Sequence, residues 1–357
     1  MKKETSVHPT YNFISIALGI IVFVLFIWVL IIGRSIILPL MIALFFSFLL
    51  DPLVILLTKW KIPHGLAVTL TLLISFVVLY LLGLLVYANV EMFVKEFPVY
   101  KQRMIETVVA MDKGLEGLLA RFPRLNITMP EKIDWSQYIQ GMSIAQGVVS
   151  SVGTFVTFLS KTLLVIIFVA YMLIGKKNIN QKIINAFPGH QGGRMLRILE
   201  NITTQIQTYL GTKTLISFIT GVLSIILFLI FGLDFAIFWG FIIFLFNFIP
   251  NIGSIIASIL PVMFAFLQYG SITRSFWLLV FLVVVQFTIG NIVEPKLMGH
   301  SLNLSPMVVI IALIFWGYIW GVGGMILAVP ILATLAIVSE NFESIRFISV
   351  FIRGKSV

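Results

Sequence analysis

Of the chain's 357 residues, 60% are hydrophobic and 11% charged, less than half the charge of an ordinary soluble domain, where about a quarter of residues are charged. No soluble core buries so large an apolar share, so a soluble enzyme or nucleic-acid-binding domain is excluded, and the formal net charge of +10 must be explained by where the basic residues fall. There are no cysteines, which removes disulfides, thiol chemistry and cysteine–zinc sites, and the four histidines (His8, His64, His190, His300) lack metal-ligand spacing.

A helix needs about 20 apolar residues to cross a bilayer core. Runs of that order occupy residues 13–32, 36–57, 66–90, 148–174 and 214–233, then nearly everything from 235 to 338 apart from a break near 294–304. The expected fold is an all-α polytopic integral membrane protein. The first run is longer than a signal-peptide core of about 7–15 residues, so it is expected to remain as a membrane helix.

The basic residues cluster between these runs. Lys2 and Lys3 precede the first, Lys59 and Lys61 follow the second, and Lys176, Lys177, Lys182, Arg194, Arg197 and Lys213 crowd the loop after the fourth with Glu200 their only acidic neighbour. Arg346, Arg353 and Lys355 close the chain. Placing all of them on one side gives cytoplasmic amino and carboxyl termini by the positive-inside rule. The basic excess therefore reports topology, with the lipid bilayer and not nucleic acid as the partner.

Residues 91–146 form the large hydrophilic insertion, with seven basic and seven acidic residues, a balance that suits the outer side. Apolar residues from Met104 to Leu119 recur at helical spacing, predicting an amphipathic helix broken at Phe122-Pro123 and Met129-Pro130 and lying on the membrane or on a neighbouring subunit. The stretch 176–212 is also expected to be helical, interrupted at Phe187-Pro188-Gly189 and Gly192-Gly193, along the anionic inner surface. The expected organisation is thus membrane helices over 1–90, an external insertion over 91–146, a membrane helix and cytoplasmic helices over 147–212, a transport region over 213–345 and a cytoplasmic tail over 346–357.

Within the apolar run after 235 stands NFIPNIGSIIASILP, residues 247–261. Pro250 costs about 3 kcal/mol in a helix interior and Gly253 permits backbone that other residues avoid. The arms 235–248 and 255–267 reach only about 20 Å each, short of a core of about 30 Å. Two short helices joined by a re-entrant tip fit this pattern, and two thin or tilted full spans are the alternative. A second interrupted segment follows between Pro306 and Val338, divided by Gly317, Gly321, Gly323 and Gly324. The Gly317-x-x-x-Gly321 spacing also suits close helix packing. Paired Gly- or Pro-interrupted segments point to a transporter's binding region.

Broken backbone survives at membrane depth only where it faces protein or a water-filled cavity, and ionisable groups there are usually functional. The candidate substrate- or ion-binding residues are therefore Asn247, Pro250, Asn251, Gly253 and Ser254 at the first tip, with Gln286, Asn291 and Glu294 beyond it. Gln286 and Asn291 are expected to share a helical face. Glu294 either binds a cation or proton or forms an interfacial salt bridge with Lys296. Lys161, inside the fourth run, is read as snorkelling to the interface. Asp51 and Asp234 are read as helix-end residues. Pro261, Pro295, Gly299, Pro306, Gly317, Gly321, Gly323, Gly324 and Pro330 are hinge or packing positions.

The order NFIPNIGSIIASILP, then QFTIGNIVEPKLMG, then LSPMVVIIALIFWGYIWGVGGMILAVP resembles the autoinducer-2 exporter family of bacterial membrane transporters. LLDPLVILLTKWKIPHGLAV (49–68) and TYLGTKTLISFITGVL (208–223) extend the resemblance, and residues 91–146 are the least alike. The resemblance implies a transporter of about eight membrane segments in the bacterial cytoplasmic membrane, a homo-oligomer with an elevator-like carboxyl-terminal half. Family cargoes are mixed, a signalling furanone for some members and sodium or protons for others. No cofactor or metal is expected. No complete Gly-x-x-x-x-Gly-Lys-Ser/Thr phosphate loop is present, so ATP-driven pumping is not expected. Three functions remain open: export of a small polar metabolite or signal such as autoinducer-2, sodium/proton antiport, and a non-transporting scaffold or membrane enzyme. Two costly helix breaks speak against the scaffold, and the lack of a nucleophile–base pairing speaks against the enzyme.

Overall fold

The computed structural model describes residues 9–120, 144–176, 178–187, 189–250, 252–298 and 303–354. Among them every named element is helical: α1 (Pro9–Ile32), α2 (Arg34–Lys59), α3 (His64–Ala120), α4 (Ile144–Lys176), α5 (Ile179–Ala186), α6 (His190–Phe231), α7 (Ala236–Phe246), α8 (Ile252–Tyr269), α9 (Ile272–Thr288), α10 (Glu294–Met298), α11 (Pro306–Asn341) and α12 (Arg346–Ile352). Among the described residues six helices are, by length and composition, long and apolar enough to cross a membrane, or up to seven if the bent pair Ser160–Lys176 and Ile179–Ala186 is one span, while Ala17–Ile32 and Ala236–Phe246 are shorter apolar helices. The chain is an all-α polytopic membrane protein.

Two compact units divide it. One comprises Met1–Gly65, Leu163–Ile206 and Leu302–Val357, the other Leu66–Thr162 and Gln207–Ser301. In the second, α7 and α8 lie against each other, and α8 against α9. Their core gathers Phe228, Ile243, Ala257, Phe264, Leu278 and Leu282. Helix α6 meets α7 where two glycines face: a Cβ on Gly221 would lie 3.0 Å from the Gly240 carbonyl oxygen. Helix α3 is 57 residues long, about 85 Å, so the amphipathic helix foreseen after residue 104 is the continuation of a membrane helix. Tyr100 ties α3 to the α6–α7 turn, its hydroxyl donating to Asp234 at 2.8 Å.

In the first unit α11 packs against α1, α2 and α12. The Trp320 indole donates to the Leu30 carbonyl at 3.2 Å, and Leu38 sits 3.3 Å from where a Gly323 Cβ would be. Asp51 is not a helix-end residue. It lies inside α2 at 6% exposure, 2.5 Å from Lys176, whose charge also suits the carboxyl end of α4. Asp234 does sit in the turn between α6 and α7.

Gly192-Gly193 does not interrupt its helix either, since α6 runs unbroken from His190. Glycine in a helix costs only about 1 kcal/mol, and a Cβ at Gly192 would strike the Phe187 carbonyl oxygen at 2.5 Å. The break falls earlier, where Gly189 adopts φ +76°. The foreseen breaks at 122–123 and 129–130 lie outside the described residues.

Candidate functional site

Both interrupted segments are hairpins. Between α7 and α8 the backbone turns through Asn247 to Pro250, with Ile249 N–H donating to Phe246 O at 2.9 Å and Ile252 N–H to Pro250 O at 2.6 Å. A Cβ on Gly253 would lie 1.8 Å from Phe246 O, so only glycine allows this approach. The arms are unequal, 11 and 18 residues, because α8 starts directly after the tip and carries the buried Pro261 inside it. At 1.5 Å per residue the first is about 17 Å long, too short to span.

The second reversal is at Gly321, with φ 64° and ψ −146° inside α11. A Cβ on Gly324 would meet Trp316 O at 2.0 Å, and one on Gly317 would meet Met325 Cε at 2.6 Å. Residues eight apart in a straight helix are separated by about 12 Å, so the chain folds back here. Its arms, 306–320 and 322–341, are roughly 22 and 30 Å long, again a short arm before a longer one. Pro306 opens the first arm and Pro330 is buried in the second.

Helix α6 supplies what the first tip lacks. Lys213, Ser217, Thr220 and Ser224 fall at i, i+4, i+7 and i+11, the spacing of one helical face, and all four are buried, at 2% exposure for Lys213 and 0% for the others. Thr220 and Ser224 spend their hydroxyls on carbonyls of the preceding turn, Ile216 O and Thr220 O. Lys213 and Ser217 instead reach outward. The Asn247 amide, at the end of α7, donates to the Ser217 hydroxyl at 3.0 Å. One turn away, Lys213 Nζ lies 2.5 Å from Glu294 Oε1.

Glu294 follows a π-helical turn, Ile289–Val293, between α9 and α10. Pro295 has no N–H to give the Asn291 carbonyl, and the helix widens over the residues before it. Of the two readings of Glu294, the salt bridge with Lys296 is not formed: residues two apart on a helix do not face each other, and Lys296 is exposed. Its partner lies 81 residues away in sequence.

The structure therefore joins Asn247 and Glu294 through two adjacent turns of α6. Gly253 is buried at the tip, and Pro250 and Ser254 are half-buried there. Asn251 and Gly299 lie outside the described residues. Asn291 is exposed and its amide bonds back to Phe287 O at 3.2 Å, while the Gln286 amide nitrogen is buried with no hydrogen-bond partner. Lys161 is exposed on α4. Among the described residues no group of three His, Cys, Asp or Glu side chains could hold a metal ion. Lys213 and Ser217 are the site residues that sequence reasoning passed over, although the four-, three-, four-residue spacing of polar groups in an apolar helix was there to find them.

Replacing Ser217 with alanine leaves the Asn247 amide buried without its acceptor, an expected loss of about 1–3 kcal/mol. Denaturation of the purified protein in detergent measures it, and an unchanged midpoint means the bond is not made.

Comparison with known proteins agrees with this architecture. Residues 2–344 match the AI-2E family transporter pattern. A "Putative transport protein" of Haemophilus influenzae is 32% identical over 261 residues, covering 72% of each chain. The "Putative transport protein YhhT" of Escherichia coli is 28% identical over 317 residues, 87% of this chain and 85% of its own. The "AI-2 transport protein TqsA" of Escherichia coli is 34% identical over 154 residues, 43% of this chain and 44% of its own. With nearly the whole sequence matched, the chain belongs to the AI-2E family of transporters.

Proposed function

We propose that the protein is a secondary transporter exporting a small polar metabolite or signal of the autoinducer-2 kind across the bacterial cytoplasmic membrane, as a homo-oligomer and by elevator-like alternating access. The observation that carries this is the buried polar array beside the first hairpin tip, Lys213–Glu294 and Ser217–Asn247, set among apolar helices. Polar groups in hydrocarbon cost several kcal/mol unless they are used, and here they sit with the amide, hydroxyl and backbone groups that a hydroxylated solute needs. Efflux of labelled autoinducer-2 from proteoliposomes is the expected result. Vesicles that hold the folded protein and release no label above empty vesicles overturn the reading.

One observation favours a second reading, sodium/proton antiport: Glu294 is a carboxylate in the membrane region, and a cation displacing Lys213 from it would be the exchange step. Sodium-driven proton movement in the same vesicles, without solute flux, would select it.

The tip must be wetted if it lines a pathway. A cysteine in place of Ser254 should react with small water-soluble thiol reagents, more slowly with solute present, while one in place of Phe23, exposed on α1, should not. Equal reactivity at the two positions removes the pathway from the tip. For orientation, both termini and 175–212 are placed in the cytoplasm and 91–146 outside. An impermeant thiol reagent on intact cells should then label a cysteine at position 115 and not one at 180; the opposite pattern inverts the topology.

A further inference from the structure

A membrane carboxylate that serves coupled transport must be free to hold and release a cation. Glu294 is already matched. Lys213 Nζ stands 2.5 Å from Oε1, and the two side chains differ in access: Lys213 is 3% exposed and Glu294 23%. An ion arriving from solvent meets the carboxylate, yet to bind it must push the ammonium away. The displaced ammonium would have to remain desolvated, because Lys213 is buried on the same helix as Leu210 and Ile216, one turn to either side and fully buried. Lysine is also tethered, so it is present at the carboxylate at a local concentration that dissolved sodium does not match.

A further polar group of the same helical face stands close to the pair. The Ser217 hydroxyl lies one helical turn along α6 and already accepts the Asn247 amide. Carboxylate, hydroxyl and carbonyl oxygens are the ligands of hard cations. Lysine's ammonium occupies the position such a cation would take.

We propose that Lys213 is a built-in counter-ion that replaces a coupling cation at Glu294, so that export of the solute, as read above and on which this inference rests, runs down the solute gradient without sodium. The Lys213–Glu294 pair is neutral as a unit. It can change its access from one side of the membrane to the other without carrying net charge or waiting for a co-ion.

The test is equilibrium binding of radioactive sodium to the purified full-length protein, which needs no cargo and so fails or succeeds independently of the transport reading. Wild-type protein is expected to show no saturable sodium binding and the same unfolding temperature in sodium chloride as in choline chloride at equal ionic strength. Lys213→Met, which keeps the bulk and removes the charge, should acquire one saturable sodium site and unfold at a higher temperature in sodium than in choline. Adding Glu294→Gln to that variant should remove both effects. Should Lys213→Met survive purification only in sodium, that dependence is the same result in another form. Saturable binding to wild-type protein that Glu294→Gln abolishes overturns the proposal, as does a folded Lys213→Met with no sodium response. Labelled-solute efflux measured separately, with and without sodium, tells loss of the transport reading from loss of this one.

Discussion

Alanine in place of Gly253 is expected to abolish solute flux and to lower stability by about 3 kcal/mol or more, the upper range for overpacking a tight site. The new methyl would stand 1.8 Å from the Phe246 carbonyl oxygen and 2.8 Å from its carbon. Those are backbone atoms of the facing arm, so no side-chain rotation relieves the clash and the tip has to open. Opening pulls Asn247, one residue past the end of α7, off the Ser217 hydroxyl. Gly324→Ala should act in the same way at the second hairpin, where the methyl would lie 2.0 Å from Trp316 O. Gly211→Ala is the control: it is an exposed helical glycine of α6 with nothing within 4 Å of the added methyl, so it should be neutral or stabilise by up to about 1 kcal/mol. Unfolding midpoints and efflux from vesicles, taken on the three variants together, decide the matter. Wild-type flux and stability in Gly253→Ala would mean that the tip is not closed in this way.

Both hairpins were legible because proline and glycine announce broken helices and the arms could be measured against a bilayer. Their proportions were not. The first arm was counted through Phe248, but α7 stops at Phe246 because the turn hydrogen bonds to Leu245 and Phe246 begin there. Lys213 stayed hidden for a different reason. In a basic stretch a lysine reads as a topology charge, and whether it is solvated or buried depends on a carboxylate 81 residues further on. Local pattern also misplaced the partner of Glu294: Lys296 is near in sequence, but helix geometry turns it away. Asp51 repeats the lesson, since the position that looked like the end of a span is two turns inside α2 and faces Lys176, 125 residues later. Periodicity finds faces, and ion pairs between helices require the fold.

The last expectation separates the two members of the buried pair by their exposure. Removing one partner of a buried ion pair typically costs about 3–5 kcal/mol, because the other charge is left uncompensated. Glu294→Gln strands Lys213, whose side chain is 3% exposed, whereas Lys213→Met strands Glu294, whose side chain keeps 23% and so some access to solvent. Glu294→Gln should therefore be the more damaging change, near the top of that range, and Lys213→Met should fall below its lower end. Combining the two replaces the pair with an amide and a thioether chain and should recover most of the loss, since removing both partners leaves no buried charge. The coupling appears in a double-mutant cycle of denaturation midpoints, with non-additivity of the order of the larger single loss. Flux should fall in both single variants, and recovery of stability without recovery of flux in the double variant would place the pair in transport and not only in folding. Additive losses would show that the two side chains do not interact, and the central contact of the proposed site would be gone.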